Sequence, residues 1–262
     1  MTIPDILALD FDGVCCDGLR EYFETSRRSC ARVWPADEPP GESAFEAFCA
    51  LRPVILSGWE MPVLLRAIAR EIPRAEILAD WERVRGELVA AAAPAGAVLI
   101  ARLGHALDEV RREWIAADEA GWIALHAPYG SVDELRRLVA EPGQSVLVTT
   151  KEGAFARRVL DDWGVRLADV QGKETGVHKC LNLRALIATW QAERGSRPRL
   201  AFVEDRLETL QHVTTHPDLD DVRLFLAAWG YNTETARAVA RADSRIRLLT
   251  LEQFRQGSAS WR

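Results

Sequence analysis

The sequence has little that would take it out of water or attach it to a polyanion. No stretch approaches the ~18 uninterrupted apolar residues of a membrane-spanning helix. The most apolar long segment, Val89 to Ala101, is interrupted by Pro94 and Gly96. The first residues, Met1-Thr2-Ile3-Pro4-Asp5, lack the basic start and apolar run of a secretory signal. Positive charge is not in surplus: 33 Lys and Arg face 39 Asp and Glu, a formal net charge of −6. Sequence-independent binding to nucleic acid or to an anionic membrane draws on excess cationic charge, so neither partner is expected. There is no internal repeat and no low-complexity tract, and the composition excludes collagen-like, disordered and disulfide-scaffold classes. The five cysteines, at 15, 16, 30, 49 and 180, form an odd set without a Cys-x-x-Cys, and adjacent Cys15 and Cys16 are poor partners for each other. Reduced thiols and a cytoplasmic location are the expectation.

What is present suffices for a folded core. At 262 residues the chain is one large domain or two modest ones, and a chain of this size withdraws about 73% of its unfolded surface from water. Short, unbroken apolar runs occur at Ile6–Leu9, Val146–Val148, Leu200–Val203, Val222–Ala228 and, more weakly, Ile246–Leu249. Continuous rather than alternating apolarity predicts strands buried on both faces, as in a parallel sheet. Helical patterns at 154–163, 180–193 and 233–241 separate them, and this alternation predicts a doubly wound α/β sheet. The stretch from about Gly18 to His126 differs. It is punctuated by Pro39-Pro40, Pro53, Pro62, Pro73 and Pro94. Leu64, Leu65, Ile68 and Ile72 make one amphipathic face, and Leu103, Leu107, Val110, Trp114 and Ala117 another. The expected organisation is an α/β core of residues 1–16 and 127–262, with a helical domain, 17–126, inserted after the first strand. Residues 256–262 read as a loose tail.

In open α/β sheets, sites form beyond the carboxyl ends of the strands, and several of these runs end in reactive groups. Asp10-Phe11-Asp12-Gly13-Val14 places two carboxylates two residues apart just past the first run. One can attack while the other handles protons, and Gly13 lets the chain turn sharply. Thr149 follows the second run and can donate a hydroxyl to an anion. Lys179 opens the 180–193 helix and can neutralise charge there. Glu204-Asp205 follows the third run and offers hard oxygen ligands suited to Mg²⁺.

These motifs, Asp-x-Asp-Gly-Val, then Val-Leu-Val-Thr149-Thr150-Lys151, then Lys179, then Ala-Phe-Val-Glu204-Asp205, resemble those of the haloacid dehalogenase superfamily in order and separation. The resemblance spans the core and extends to the insertion, which looks like that superfamily's helical C1 cap. It implies a phosphoglycolate phosphatase-like member, since halogen-removing members lack the second acid that Asp12 supplies. By the same resemblance, Asp10 attacks a phosphate ester to give an aspartyl-phosphate, and Asp12 protonates the leaving alcohol and later deprotonates water. Thr149 and Lys179 hold the non-bridging oxygens. Asp10, the Asp12 carbonyl and Asp205, assisted by Glu204, bind Mg²⁺. Lys173 is the alternative to Lys179; the head-of-helix position favours Lys179. The fourth motif departs from the usual Gly-Asp or Asp-Asp: position 204 is Glu, positions 209 and 210 are Thr and Leu, and the nearest further acid is Glu208.

The expected function is a Mg²⁺-dependent phosphatase of a small phosphorylated metabolite, such as a sugar phosphate or a phosphoglycolate-like ester. The alternatives are a phosphomutase on the same scaffold or a non-catalytic regulator; monomer and homodimer are both open. Gly13 and Thr150 are expected to line the substrate site. So are Arg52 and Glu60, from a segment that mixes turn residues with Arg, Trp and Glu, although a structural helix-corner role is the alternative for both. His212 and His216 have the i, i+4 spacing of metal ligands. They lack the glutamate that follows the first histidine in a zinc-protease motif, and read as a solvated helix face. Cys15 and Cys16 read as small packing residues.

Overall fold

A computed structural model describes residues 3–92, 96–176 and 178–261. The break expected at Pro94, the first two residues and Arg262 lie outside them. The chain runs β1 (Ile6–Leu9), β2 (Cys16–Asp17), α1 (Leu19–Val33), α2 (Phe45–Leu51), α3 (Glu60–Ala69), α4 (Arg74–Ala79), α5 (Trp81–Ala92) and α6 (Gly96–Ile123). It continues through β3 (Ala127–Pro128), α7 (Val132–Val139), β4 (Gln144–Val148), α8 (Gly153–Asp162), β5 (Asp169–Gln171), α9 (Lys179–Arg194), β6 (Leu200–Glu204), α10 (Leu207–Thr214), β7 (Arg223–Ala227), α11 (Glu234–Ala242), β8 (Ile246–Leu249) and α12 (Leu251–Gln256). Two compact units result: Met1–Asp17 with Ala127–Arg262, and Gly18–His126. No single described helix is long and apolar enough to cross a membrane.

The first unit is built on a six-stranded sheet of order β5-β4-β1-β6-β7-β8. Every pairing in it is parallel, with Leu9 level with Leu147 on one side and Val203 on the other. The unbroken apolar runs have the cause expected of them. β1 is buried along its whole length, because helices cover both faces of a parallel sheet. On one face Ile6, Ala8, Val146, Val148 and Phe202 pack with Leu183 and Ile187 of α9 and Leu210 and Val213 of α10. β1 lies between β4 and β6, which the chain fills in opposite directions. This is the reversal of strand order where α/β sheets open a crevice at the strand carboxyl ends.

Two features depart from the sequence reading. β5, an edge strand of three residues, and the short β2–β3 ladder (Cys16 with Pro128, Asp17 with Ala127) carry no long apolar run. Residues 256–261 are not a loose tail. Trp261 is buried, stacked on Phe254 with centroids 6.1 Å apart and edge-on to Phe225, and its Nε1 donates to the Gln253 carbonyl at 3.1 Å. Ser258 N donates to Glu141 at 3.0 Å. One aromatic near the end of a polar stretch has enough area to fix it.

The second unit, Gly18–His126, is helical. α1 packs on α3 and α6, and α5 on α3 and α6. α6 is broken at Asp118, whose backbone leaves the helical region (φ −156°, ψ 75°) and whose Oδ1 accepts from Gly121 N at 2.8 Å. A buried charge joins α1 to α6. Glu21 is held by Arg111 through Nε (2.7 Å) and Nη2 (3.1 Å), and it also accepts from Thr25 Oγ1 (2.6 Å) and Trp122 Nε1 (3.3 Å). A carboxylate this deep is tolerated because its partners satisfy it.

Candidate active site

The site grows from the end of β1. Asp10 prolongs the ladder by one step, its N–H donating to the Val203 carbonyl at 3.0 Å. Its Oδ1 accepts from the N–H of Phe11 at 2.7 Å, which points the carboxylate beyond the strand end. The chain then reverses: Cys15 N and Cys16 N both donate to the Phe11 carbonyl at 2.9 Å, and Gly13 N to the Cys16 carbonyl at 2.9 Å. Asp12 lies in this turn, buried like Asp10.

Gly13 has no substitute. Its φ is +82°, and a Cβ there would stand 2.2 Å from Asp205 Oδ2. From the other side a Cβ on Gly230 would stand 2.3 Å from the Asp205 Cβ. Asp205, the first residue after β6, therefore occupies a slot between two glycines. Tyr231 N donates to its Oδ2 at 2.8 Å. The Asn232 side chain bonds both the Asp205 carbonyl (3.0 Å) and the Ala227 carbonyl (2.8 Å), tying the ends of β6 and β7 together.

Lys179, the first residue of α9, brings its Nζ to 2.7 Å from Asp10 Oδ2 and also bonds the carboxylate of Glu204. All three are buried. The other oxygen of Glu204 accepts from Arg206 N at 3.0 Å. Burial pushes the Asp10 carboxyl well above the usual carboxylate range; Lys179 opposes this, while Glu204 and Asp12 add to it. Glu204 is raised for the same first reason, again against Lys179. Burial alone would lower Lys179, but Asp10 and Glu204 outweigh it and hold the ammonium charged.

One carboxylate oxygen from each of Asp10, Glu204 and Asp205 lies within 4.8 Å of the others. Three buried, hard oxygen donors around one point match what a divalent cation such as Mg²⁺ requires. The Asp12 carboxylate instead faces Lys151, whose Nζ is 3.3 Å from Oδ1.

The remaining expected residues are placed as follows. Thr149, one residue beyond β4, is buried, and its Oγ1 accepts from Lys151 N at 3.2 Å; Thr150 beside it is exposed. Of the two competing lysines only Lys179 meets Asp10. Lys173 directs its ammonium to Glu152 at 3.7 Å. Arg52 donates to the Ile55 carbonyl at 3.1 Å. Glu60 is buried, accepting from Trp81 Nε1 (2.8 Å) and Arg85 Nη1 (2.7 Å); these bonds all lie within the helical unit. Cys15 and Cys16 are buried with their thiols pushed far up by burial and the neighbouring carboxylates, as inert packing residues are. Lys151 is the residue that sequence reasoning missed. Its signal was position alone, two residues past Thr149 on the loop leaving β4.

No protein-family model and no curated protein sequence matches the chain. Solved structures do. A predicted phosphoglycolate phosphatase from Haemophilus somnus superposes with a TM-score of 0.60 at 12% identity, covering 98% of each chain. A haloacid dehalogenase-like family hydrolase from Streptococcus pneumoniae gives 0.55 at 10% identity over 95% of each chain. Protein Tyrosine Kinase A of Mycobacterium tuberculosis gives 0.52 at 17% identity over 89% of this chain and 88% of its own. At such identities the likeness is one of architecture: the chain has the haloacid dehalogenase-like fold, with the Asp10 turn at the carboxyl end of its central strand.

Proposed function

We propose that the chain is a Mg²⁺-dependent phosphatase that hydrolyses a small phosphorylated metabolite through an aspartyl-phosphate on Asp10. The observation that carries this reading is the pairing of two carboxylates with two lysines: Asp10 on Lys179 at 2.7 Å and Asp12 on Lys151 at 3.3 Å. Asp10 forms the new O–P bond as the ester oxygen leaves. Asp12 gives that oxygen its proton and then takes one from the water that opens the aspartyl-phosphate. Lys151 holds Asp12 in place between the two transfers. Lys179 offsets negative charge beside the nucleophile, and Thr149 is placed to donate to a non-bridging oxygen. Asp10, Glu204, Asp205 and the Asp12 carbonyl would hold Mg²⁺, which supplies charge stabilisation to the phosphoryl group. The substrate class is the one that the resemblance to capped phosphatases implies.

The test is hydrolysis of p-nitrophenyl phosphate and of a panel of phosphorylated metabolites, with and without Mg²⁺. Wild type turns over only with the cation, and Asp10→Asn loses at least about a thousandfold in kcat. A wild type with no Mg²⁺-dependent turnover on any ester removes the reading.

A further inference from the structure

Next to Lys179 stands Cys180, a residue with no part in the chemistry above. It is buried in the α9 face of the core, yet its sulfur lies near two imidazoles. One ligand atom from each of Cys180, His212 and His216 lies within 4.8 Å of the other two. His212 is exposed near the end of α10 and His216 is half-buried just beyond it. The helix closes between them, with Thr215 N donating to the His212 carbonyl (3.2 Å) and His216 N to the Val213 carbonyl (3.1 Å). His216 then adopts an extended backbone (φ −109°, ψ 103°). The rings consequently meet edge to face, centroids 4.9 Å apart at 82°, rather than stacking along a straight helix face.

A solvated histidine pair would explain the rings but not a buried thiol converging on them. We propose that Cys180, His212 and His216 form a site for a borderline-soft divalent cation such as Zn²⁺. One thiolate and two imidazoles are the donors that such an ion selects over the oxygen-only set at Asp10. Around tetrahedral Zn²⁺ the ligand atoms stand about 3.5 Å apart, so rotation of the two histidine side chains would draw the set together from within 4.8 Å. The Cys180 thiol proton passes to solvent as the sulfur–metal bond forms, and both histidines bind neutral. The neighbouring Asp218 is engaged by Arg184 at 2.6 and 2.9 Å, which leaves the fourth position to water. A cation here ties the first turn of α9, which carries Lys179, to the end of α10.

Co²⁺ serves as the spectroscopic probe on the reduced full chain. Titration gives one equivalent of thiolate-to-cobalt charge-transfer absorption in the near ultraviolet, and Zn²⁺ displaces it. Cys180→Ser abolishes the band, His212→Gln and His216→Asn weaken Co²⁺ binding by more than about 100-fold, and Asp10→Asn leaves the band intact. The exposed His212 keeps the test valid if a core variant fails to fold. A wild type without the band, a band that survives Cys180→Ser, or an unchanged Co²⁺ affinity in His212→Gln overturns the proposal. Because this readout is independent of phosphatase turnover, its failure and that of the phosphatase reading are separate results.

Discussion

The ammonium of Lys179 lies 2.7 Å from Asp10 and also bonds Glu204, so one buried cation answers two buried carboxylates. Replacing it with the similarly shaped, uncharged Met leaves both acids facing each other without a counter-charge. Losing one partner of a buried ion pair costs about 3–5 kcal/mol. Lys179→Met should therefore lower the free energy of unfolding, measured by urea denaturation at neutral pH, by that much and abolish ester hydrolysis. A loss under about 1 kcal/mol would show that water, not Lys179, meets the charge.

The slot around Asp205 predicts a second outcome. Gly230 lies where a Cβ would come within 2.3 Å of the Asp205 Cβ, so Gly230→Ala displaces this carboxylate while leaving the site's charges unchanged. The expected effect is a Mg²⁺ concentration for half-maximal hydrolysis raised at least about tenfold, with fold retained by circular dichroism. Unchanged Mg²⁺ dependence would remove Asp205 from the proposed ligand set.

In the helical unit, Arg111→Leu strands Glu21 between α1 and α6 and should cost about 3–5 kcal/mol. The double change Glu21→Leu/Arg111→Leu should recover most of it, because an apolar pair of similar volume needs no counter-charge. Denaturant unfolding of the two variants decides this. Equal losses would mean that packing, not charge, joins the helices.

Asp5, one residue before β1, is lowered to about 2, chiefly by its hydrogen bond from Arg199. A folded value below the unfolded one means stability fully present above about pH 4 and lost as pH falls through about 2. The pair is partly exposed, so after screening it contributes only about 1 kcal/mol. Asp5→Asn should be less stable than wild type by that amount at pH 7, and the gap should close near pH 2.

The sequence announced the sheet because β1, β4 and β6 are buried on both faces and therefore carry unbroken apolar runs. β5 pairs only along one edge, so three residues with one buried side chain, Val170, suffice and no run marks them. Asp10, Asp12, Thr149 and Asp205 were legible as polar residues placed just past such runs, and Lys179 as the cation that opens a helix. Lys151 was not, since a lysine on a loop is ordinarily solvated and only the folded turn brings it to Asp12. Glu60 read equally as a substrate contact or a helix-corner residue, because the partners that bury it, Trp81 and Arg85, lie on another helix. Cys180 and its histidines are about thirty residues apart, a separation no local pattern bridges.

The ladder of Cys16 with Pro128 and Asp17 with Ala127 has a consequence for how such a chain changes over time. It brings together the two cut points from which the whole Gly18–His126 segment departs. The entropy of closing a loop grows only with the logarithm of its length, and here the stem is already zipped. The α/β unit is therefore indifferent to the size of what hangs from it. A tight turn, a hairpin or a different bundle can be grafted at that stem with the strand order untouched, making it the natural point for exchanging one insert for another.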